Sequence, residues 1–396
     1  MPERTVYDVA VIGAGPAGAQ AAVSAAHQMR HVLVLDAGAI SQRKGRAYWS
    51  KTVEYLDAPV FTGITGPRFI RALSEWMSAQ PVRAVTIAGR ERSVGIDRRA
   101  GVVRRLVRVE PHAEDGRAPA GHLFELEVST SPLKRNSPMK RNSPMKGEIP
   151  APEEASPEEE ASPSETALPL ERFYARTVVV ASGFEDVWPE IEVETGGQRL
   201  YQRYRTVFRY AGNRKGWHVC IRCDGHLHID EHLAVLANGD LAWGIVRGAQ
   251  DFTNKMTILT NGEPAGFSEA QADVLRQQGI VVVEERVVAH IGKATDLLGL
   301  RLAGGRELFF DGFILDYGLR PNTEYLRPED GWHFRRDSDG LLTVDEDGQV
   351  LDDAGGPVPG LFAAGDIVAD QRNLIATAFG LGQNAGLTAS DLMREW

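Results

Sequence analysis

Two hydrophobic rhythms alternate along the chain. Short apolar runs rich in β-branched residues, Tyr7-Asp-Val-Ala-Val-Ile-Gly13 and His31-Val-Leu-Val-Leu-Asp36, flank a small-residue stretch from Pro16 to Met29 in which alanine dominates. The runs predict buried strands and the alanine-rich stretch predicts a helix. Together they make a βαβ unit of about 30 residues. Residues 82–129 read as short alternating strands, and residues 172–181 as their continuation. A second strand–helix series follows between 230 and 320. It has strands at 232–237, 255–260 and 279–283, with helices at 241–252 and 269–278. The pattern closes with a strand ending at Phe362, a Gly-rich turn and a helix over 373–395. The predicted class is α/β with two Rossmann-like dinucleotide-binding folds.

One segment breaks both rhythms. In 131–168 the run Lys-Arg-Asn-Ser-Pro-Met at 134–139 recurs at 140–145, and Glu-Glu-Ala-Ser-Pro-Glu at 153–158 is nearly repeated at 159–164. Such sequence cannot bury enough apolar area to offset chain entropy. It is expected to be a disordered insertion at a hairpin tip, basic first and acidic second. It reads as a solvated loop grown by repeat slippage, with a docking or regulatory tail as the alternative.

Composition narrows the classes. Hydrophobic residues make up 43% and charged residues 25% of 396, which is ordinary globular usage. A formal net charge of −10 argues against nucleic acid as a partner. No run approaches the ~20 apolar residues of a membrane span. The N-terminus lacks the features of a signal peptide, so a cytoplasmic location is expected. The eight arginines between Arg83 and Arg108 read as a solvated face balanced by nearby acids, or else as a dock for an acidic partner. The two cysteines, Cys220 and Cys223, exclude a disulfide-scaffolded fold.

Three motifs carry chemistry. Gly13-Ala14-Gly15-Pro16-Ala17-Gly18 follows a predicted strand and opens a predicted helix, and Asp36 ends the next strand. Gly13 permits the tight turn, Gly15 lets the backbone approach a pyrophosphate, and Gly18 lets helix and strand pack closely. Asp36 would accept hydrogen bonds from ribose hydroxyls. The helix start favours phosphates. The other reading is a Gly-rich turn kept for packing. In Gly360-Leu-Phe-Ala-Ala-Gly365-Asp366, Gly365 allows close approach and Asp366 presents a carboxylate at a strand end. The helix start near Asn373 and Leu374 then aims its dipole at a ligand. Cys220-Ile-Arg-Cys223-Asp224-Gly225 is a CxxC, which can close and reopen a small disulfide. Arg222, His218, His226 and His228 lie close by, and positive charge raises the thiolate fraction. Zinc ligation and inert thiols are the alternatives, the first weakened by the close spacing of His226 and His228.

With the Ala181-Ser182-Gly183 turn added, the two ends resemble flavoproteins built from two dinucleotide folds. The CxxCDG sequence ahead of the second α/β series resembles the low-molecular-weight thioredoxin reductases, class II pyridine nucleotide-disulphide oxidoreductases. Ile64-Thr-Gly-Pro67 and Leu319-Arg-Pro-Asn-Thr323 extend the likeness over nearly the whole chain outside 131–168. The resemblance implies FAD, with Asp366 on the ribityl chain. Gly13, Gly15, Pro16, Ala17, Gly18, Asp36, Ala181, Gly183, Gly365, Asn373 and Leu374 match the rest of its cradle. It implies that Cys223 faces the flavin, Cys220 exchanges with the substrate and Asp224 is the general acid/base. A discontinuous FAD domain at 1–186 and 319–396 is implied, with a smaller NAD(P)H-binding-like domain at 187–318 that rotates about linkers near 184–189 and 317–321. A homodimer is implied too, with a thioredoxin-like protein or a small dithiol or disulfide as partner.

The second fold departs from the pattern. Ala237-Asn238-Gly239-Asp240-Leu241-Ala242 lacks the first glycine of the motif, and the next strand runs into Thr260-Asn261-Gly262-Glu263 with no arginine. A dianionic 2′-phosphate beside Glu263 would be poorly stabilised, which speaks against the usual NADPH binding. Trp243 reads as a packing residue, or as a plug in that pocket. Retained flavin motifs with a degraded NADPH site resemble two offshoots. One is the dithiol oxidases of gliotoxin- and holomycin-type pathways, which carry CxxCH where this chain has CxxCD. The other is the deeply branching bacterial relatives without an NADPH site. The expectation is an FAD-dependent dithiol–disulfide oxidoreductase. The alternatives are an NADPH-dependent thioredoxin reductase, an oxygen-using dithiol oxidase and a non-catalytic flavin sensor.

Overall fold

The computed structural model describes residues 4–39, 45–49, 63–116, 118–130, 169–189, 191, 194–195, 198–199 and 210–394. The insertion expected at 131–168 lies outside the described residues. In chain order the first elements are β1 (Val6–Ile12), α1 (Pro16–His27), β2 (His31–Asp36), a one-turn α2 (Arg46–Trp49), α3 (Gly66–Ser78), β3 (Arg83–Ile87), β4 (Arg90–Val109), β5 (Leu123–Thr130) and β6 (Leu170–Val180). Next come β7 (Phe184–Asp186), β8 (Glu194–Thr195), β9 (Gln198–Arg199), β10 (Trp217–His218) and a one-turn α4 (Ile221–Asp224). The second series is β11 (Leu233–Leu236), α5 (Gly239–Ala249), β12 (Met256–Leu259), α6 (Glu269–Gln277) and β13 (Val281–Val283). It continues through β14 (Val287–Lys293), β15 (Asp296–Leu302), β16 (Glu307–Phe309) and β17 (Gly312–Leu315). The chain ends with β18 (Leu319–Pro321), β19 (Gln349–Leu351), β20 (Pro357–Ala363) and α7 (Ile375–Asp391).

Two sheets organise these elements. In the first, β1 pairs in parallel with β2 and β6, β2 with β4, and β6 with β20. β5 adds an antiparallel meander between β4 and β6. The second sheet is wholly parallel in the order β10-β17-β11-β12-β13, with β14-β15-β16 as a separate antiparallel sheet. The two connections between the main sheets run side by side, because β7 pairs with β18 through Asp186↔Leu319 and Phe184↔Pro321.

Residues 82–129, read as short strands, instead contain a 20-residue strand. Gly95–Ala100 of β4 pair in parallel with β2, and Gly101–Val109 pair antiparallel with β5. With Arg90–Val94 paired antiparallel to β3, the strand serves three pairings in turn, so no single inside–outside alternation runs its length. At the changeover, a Cβ on Gly101 would lie 2.5 Å from Val128 Cγ1. Helix boundaries also move: α5 starts at Gly239 and α7 spans Ile375–Asp391.

The alanine of α1 has a packing cause. Ala17, Ala19, Ala21, Ala22 and Ala25 are all buried. They let α7 approach so closely that a Cβ on Gly382 would sit 2.2 Å from the Ala17 carbonyl oxygen, and one on Gly386 2.4 Å from that of Ala21. A larger residue on either side would push apart the two helices whose N-termini meet the ends of β1 and β20. The fold pairs part of the basic stretch with acids: Arg99 with Asp97, Arg98 with Asp36 and Arg105 with Asp330, while Arg108 covers the Trp332 ring.

Candidate functional site

The carboxyl ends of β1, β6 and β20 converge on the start of α1, the place where parallel α/β sheets take ligands. Gly13 has φ +112° and donates its N–H to the Leu35 carbonyl at 2.9 Å. A Cβ there would lie 2.3 Å from the Ala181 carbonyl oxygen, and one on Gly18 only 2.0 Å from that of Gly13. Both positions therefore admit only glycine. Gly15 differs, because a Cβ would meet nothing within 4 Å. It caps α1 without a side-chain hydrogen bond, Pro16 follows it, and the helix start faces open space. Gly365, at φ +78°, lies against α1: its Cβ would be 2.6 Å from that of Ala17.

Asp36 stands at the end of β2 as predicted, ion-paired with Arg98, which also reaches Ser74. The sequence gives no hint of this pair, since 62 residues separate the partners. Asp366 is partly buried, and desolvation raises its carboxyl from 3.8 to about 6, against the pull of Arg46 and with the push of Asp186. Arg46 forks onto Asp186 with Nε at 2.9 and 3.1 Å from the two carboxylate oxygens and covers the Phe184 ring. Sequence reasoning misses Arg46, because nothing around it in the chain marks it. Ser182 Oγ donates to the Asn322 carbonyl at 2.6 Å, and Asn322 Nδ2 donates to that of Ser182 at 3.0 Å, which fixes the Ala181–Gly183 turn.

This arrangement fits a flavin dinucleotide. The approach at Gly15 is open and the α1 and α7 starts carry no side-chain cap. The amide oxygens of Asn322 and Asn373 are buried with no hydrogen-bond partner among the described residues. Leu374 caps α7, so Asn373 and Leu374 stand at its start as predicted.

Cys220, Cys223 and Asp224 form a separate cluster after β10 of the second sheet. The two sulfurs are joined in a disulfide. Cys220 caps α4, and its Sγ accepts a hydrogen bond from the Cys223 N–H at 3.2 Å. The disulfide arises within one tight turn, whose Cys223 and Asp224 N–H groups both donate to the Cys220 carbonyl. Gly225 packs against Phe252 so closely that a Cβ would meet its ring at 2.4 Å. Asp224 Oδ2 lies 2.7 Å from His218 Nδ1. His218 Nε2 lies 3.3 Å from His228 Nε2, and His228 Nδ1 lies 2.7 Å from Glu231 Oε2. Burial holds the His228 imidazole below its ordinary value, against the pull of Glu231. His226 is exposed, as is Arg222.

The second fold differs from the first at the same point. The Gly239 N–H, at the start of α5, donates to the Ala265 carbonyl at 2.8 Å, and Gly266 lies against Gly239. Asp240 occupies the first turn of α5 and accepts from Gln271. Thr260 is buried, Asn261 Oδ1 accepts from the Val287 N–H, and Gly262 abuts Arg286. Arg286 is a cation beside this strand end that lies on a different connection, so the local run alone does not reveal it. Trp243 packs against the apolar cluster around Ala242, Ile245 and Val246.

Comparison with known proteins agrees with this architecture. The family model described as pyridine nucleotide-disulphide oxidoreductase matches residues 170–385, more than half of the chain. An alkyl hydroperoxide reductase component from Staphylococcus aureus strain MSSA476 is 27% identical over 230 residues, which are 55% of this chain and 39% of that protein. The corresponding Pseudomonas putida protein is 26% identical over 231 residues, 55% of this chain and 38% of its own. The chain thus spans about two-fifths of the length of these relatives. The fold matches thioredoxin reductase from Streptococcus pyogenes MGAS5005 at TM-score 0.64 and 19% identity, over 99% of both chains. A putative thioredoxin reductase from Bacillus anthracis matches at 0.64 and 18%, over 97% of both. The HlmI structure matches at 0.68 and 18%, over 99% of this chain and 94% of that one. Two dinucleotide folds, a CxxC disulfide beside an acid and a family match across more than half the residues make this chain a member of the pyridine nucleotide-disulphide oxidoreductase family.

Proposed function

We propose that the chain is an FAD-dependent dithiol–disulfide oxidoreductase of the thioredoxin reductase type. The observation that carries this reading is the Cys220–Cys223 disulfide, formed one residue before an acid that hydrogen-bonds a buried histidine. Bound FAD would supply the centre that accepts or returns the electron pair. Gly13, Gly15, Pro16, Ala17 and Gly18 would hold its pyrophosphate, Asp36 a ribose, and Asp366 the ribityl chain. Ala181, Gly183, Gly365, Asn373 and Leu374 would line the rest. Cys220 exchanges with the dithiol or disulfide substrate, Cys223 lies on the flavin side, and Asp224 holds or releases the proton. The hydrogen bond from the Cys223 N–H to Cys220 Sγ favours a thiolate there once the disulfide opens. The reading includes domain limits at 1–186 with 319–396, and 187–318. It also includes a homodimer acting in the cytoplasm on a thioredoxin-like protein or a small dithiol. Among the described residues, no helix is long and apolar enough to cross a membrane.

A second reading concerns direction. The Gly239–Ala265 hydrogen bond and the Asp240 carboxylate at the α5 start speak against entry from NADPH, and the reading that follows takes a dithiol as donor and oxygen as acceptor. The test follows flavin absorbance anaerobically after addition of NADPH, NADH or a small dithiol. Bleaching by the dithiol alone, with oxygen uptake on re-aeration, is the expected result. Rapid bleaching by NADPH would overturn the direction, and dithiol bleaching that survives Cys223→Ser would overturn the cysteine roles.

A further inference from the structure

We infer that His218, His228 and Glu231 form a buried proton path that serves Asp224; this rests on the acid/base role proposed above. The four side chains make a continuous line. Asp224 meets His218 at 2.7 Å, the imidazoles meet at 3.3 Å through their Nε2 atoms, and His228 meets Glu231 at 2.7 Å. The two imidazoles are 0% exposed, while the carboxylates at the ends are 25% and 27% exposed. Two buried rings thus join two carboxylates that reach water.

Hydrogen-bond inventory shows what the line can do. A neutral imidazole donates at one ring nitrogen and accepts at the other. With Asp224 protonated, its O–H donates to His218 Nδ1, His218 Nε2–H to His228 Nε2, and His228 Nδ1–H to the Glu231 carboxylate. Moving one proton along every link leaves Asp224 ionised and Glu231 protonated, with both rings again neutral. Every nitrogen on the path is satisfied in both states, and no buried imidazolium forms. In the first state the Arg214 carbonyl, 3.2 Å from His218 Nε2, accepts part of that donor.

The groups that face the rings favour the neutral line. His228 faces His218, Glu231 and the nearby Arg214 charge, and burial lowers it. Burial raises Glu231, but hydrogen bonds from Arg214 and His228 outweigh it and hold the carboxyl below its ordinary value. Glu231 therefore rests as an anion, the form it has when Asp224 is loaded, and a solvent proton occupies it only in passing on the way to the rings. Gly312 leaves room for the His228 ring, since a Cβ there would lie 2.5 Å from it.

The chemistry balances. Opening the disulfide breaks the Cys220–Cys223 bond, takes up two electrons and two protons and leaves two thiols. A small dithiol loses the same two electrons and two protons as its own disulfide forms. The proton delivered to Cys223 comes from Asp224. Asp224 is reloaded through His218 and His228 from Glu231 and solvent, even when a substrate covers the cysteine face.

The test measures disulfide opening in the full chain by dithiothreitol, using rapid quench with alkylation, in H2O and D2O. Glu231→Gln keeps an acceptor for His228 but cannot carry a proton. It is expected to slow opening about tenfold, less than the ~100-fold floor for losing a placed acid. It should also change the solvent isotope effect and be rescued by added acetate. His228→Gln should slow opening similarly without acetate rescue. If Glu231→Gln opens within twofold of the parent and ignores acetate while Asp224→Asn is slow, the path is wrong and the acid stands. If Asp224→Asn is also unaffected, the acid/base reading itself falls. The melting point of Glu231→Gln should fall only slightly, through loss of the part-exposed Arg214 ion pair; slow opening with a large drop in melting point and no acetate response would mean a structural role and overturn the path.

Discussion

The backbone N–H of Gly239 donates to the carbonyl oxygen of Ala265 at 2.8 Å. In the first fold the equivalent helix start at Gly15 faces open space. A dinucleotide phosphate at α5 would have to displace Ala265 and sit beside the Asp240 carboxylate. NADPH is therefore expected to leave the melting temperature of the holoenzyme unchanged, whereas FAD added to flavin-free chain raises it by mass action. A rise with NADPH, lost in Arg286→Ala, would show that the loop yields and that Arg286 supplies the missing cation.

Gly382 and Gly380 lie two residues apart on α7 and should respond with opposite sign. A Cβ at 382 would collide with the Ala17 carbonyl, while one at 380 would meet nothing within 4 Å. Gly382→Ala is expected to cost about 1–3 kcal/mol by overpacking and to loosen flavin retention through α1. Gly380→Ala should gain about 0.5–1 kcal/mol from helix propensity. Denaturant melts of the two variants check this, and equal signs would refute the packing account.

Arg46 is the cation shared by Asp186 and Asp366. Arg46→Met would leave two largely buried carboxylates without it, at a cost of about 3–5 kcal/mol. Adding Asp186→Asn should recover part of the loss, and a double-mutant cycle measures the coupling. Additive losses would mean that the two side chains do not support one another.

Asp366 and His290 set opposing pH slopes. Burial raises Asp366 from 3.8 to about 6, so in that window the folded chain binds more protons than the unfolded one. Stability from this group is complete below about pH 4 and falls by roughly 3 kcal/mol as pH rises through 6. Burial lowers His290 from 6.5 to about 4. Its stability is complete above about pH 6.5 and is lost as pH falls through 4, again by roughly 3 kcal/mol. In the parent the two slopes largely cancel. Flavin-free Asp366→Asn should be more stable than the parent above about pH 7 and should lose stability more steeply on acidification. It should also retain FAD less well. A parallel pH profile for parent and variant would refute the assignment.

Much of this was legible in the sequence where the physics is local. The close-packed turn glycines at 13 and 18 and the Cys220–Cys223 disulfide follow from spacing alone. What the sequence concealed was long-range pairing. Arg98 reaches Asp36 across 62 positions and Arg46 reaches Asp186 across 140. His218, His226 and His228 look alike in the chain as neighbours of the cysteines; only folding buries two and leaves one in water. The long β4 was hidden because its pairing partner changes along its length.

The contact between α1 and α7 also governs how this chain can be made. Arg30, just beyond α1, donates to the Ser390 carbonyl across 360 positions, at the end of the helix whose glycines lie against Ala17 and Ala21. A ribosome adding ~5–20 residues per second needs tens of seconds to span that gap. Until α7 emerges, the nucleotide turn lacks its backing and the alanine face of α1 stays uncovered. The nucleotide turn therefore reaches its packed form only after α7 has emerged, whatever is made before it.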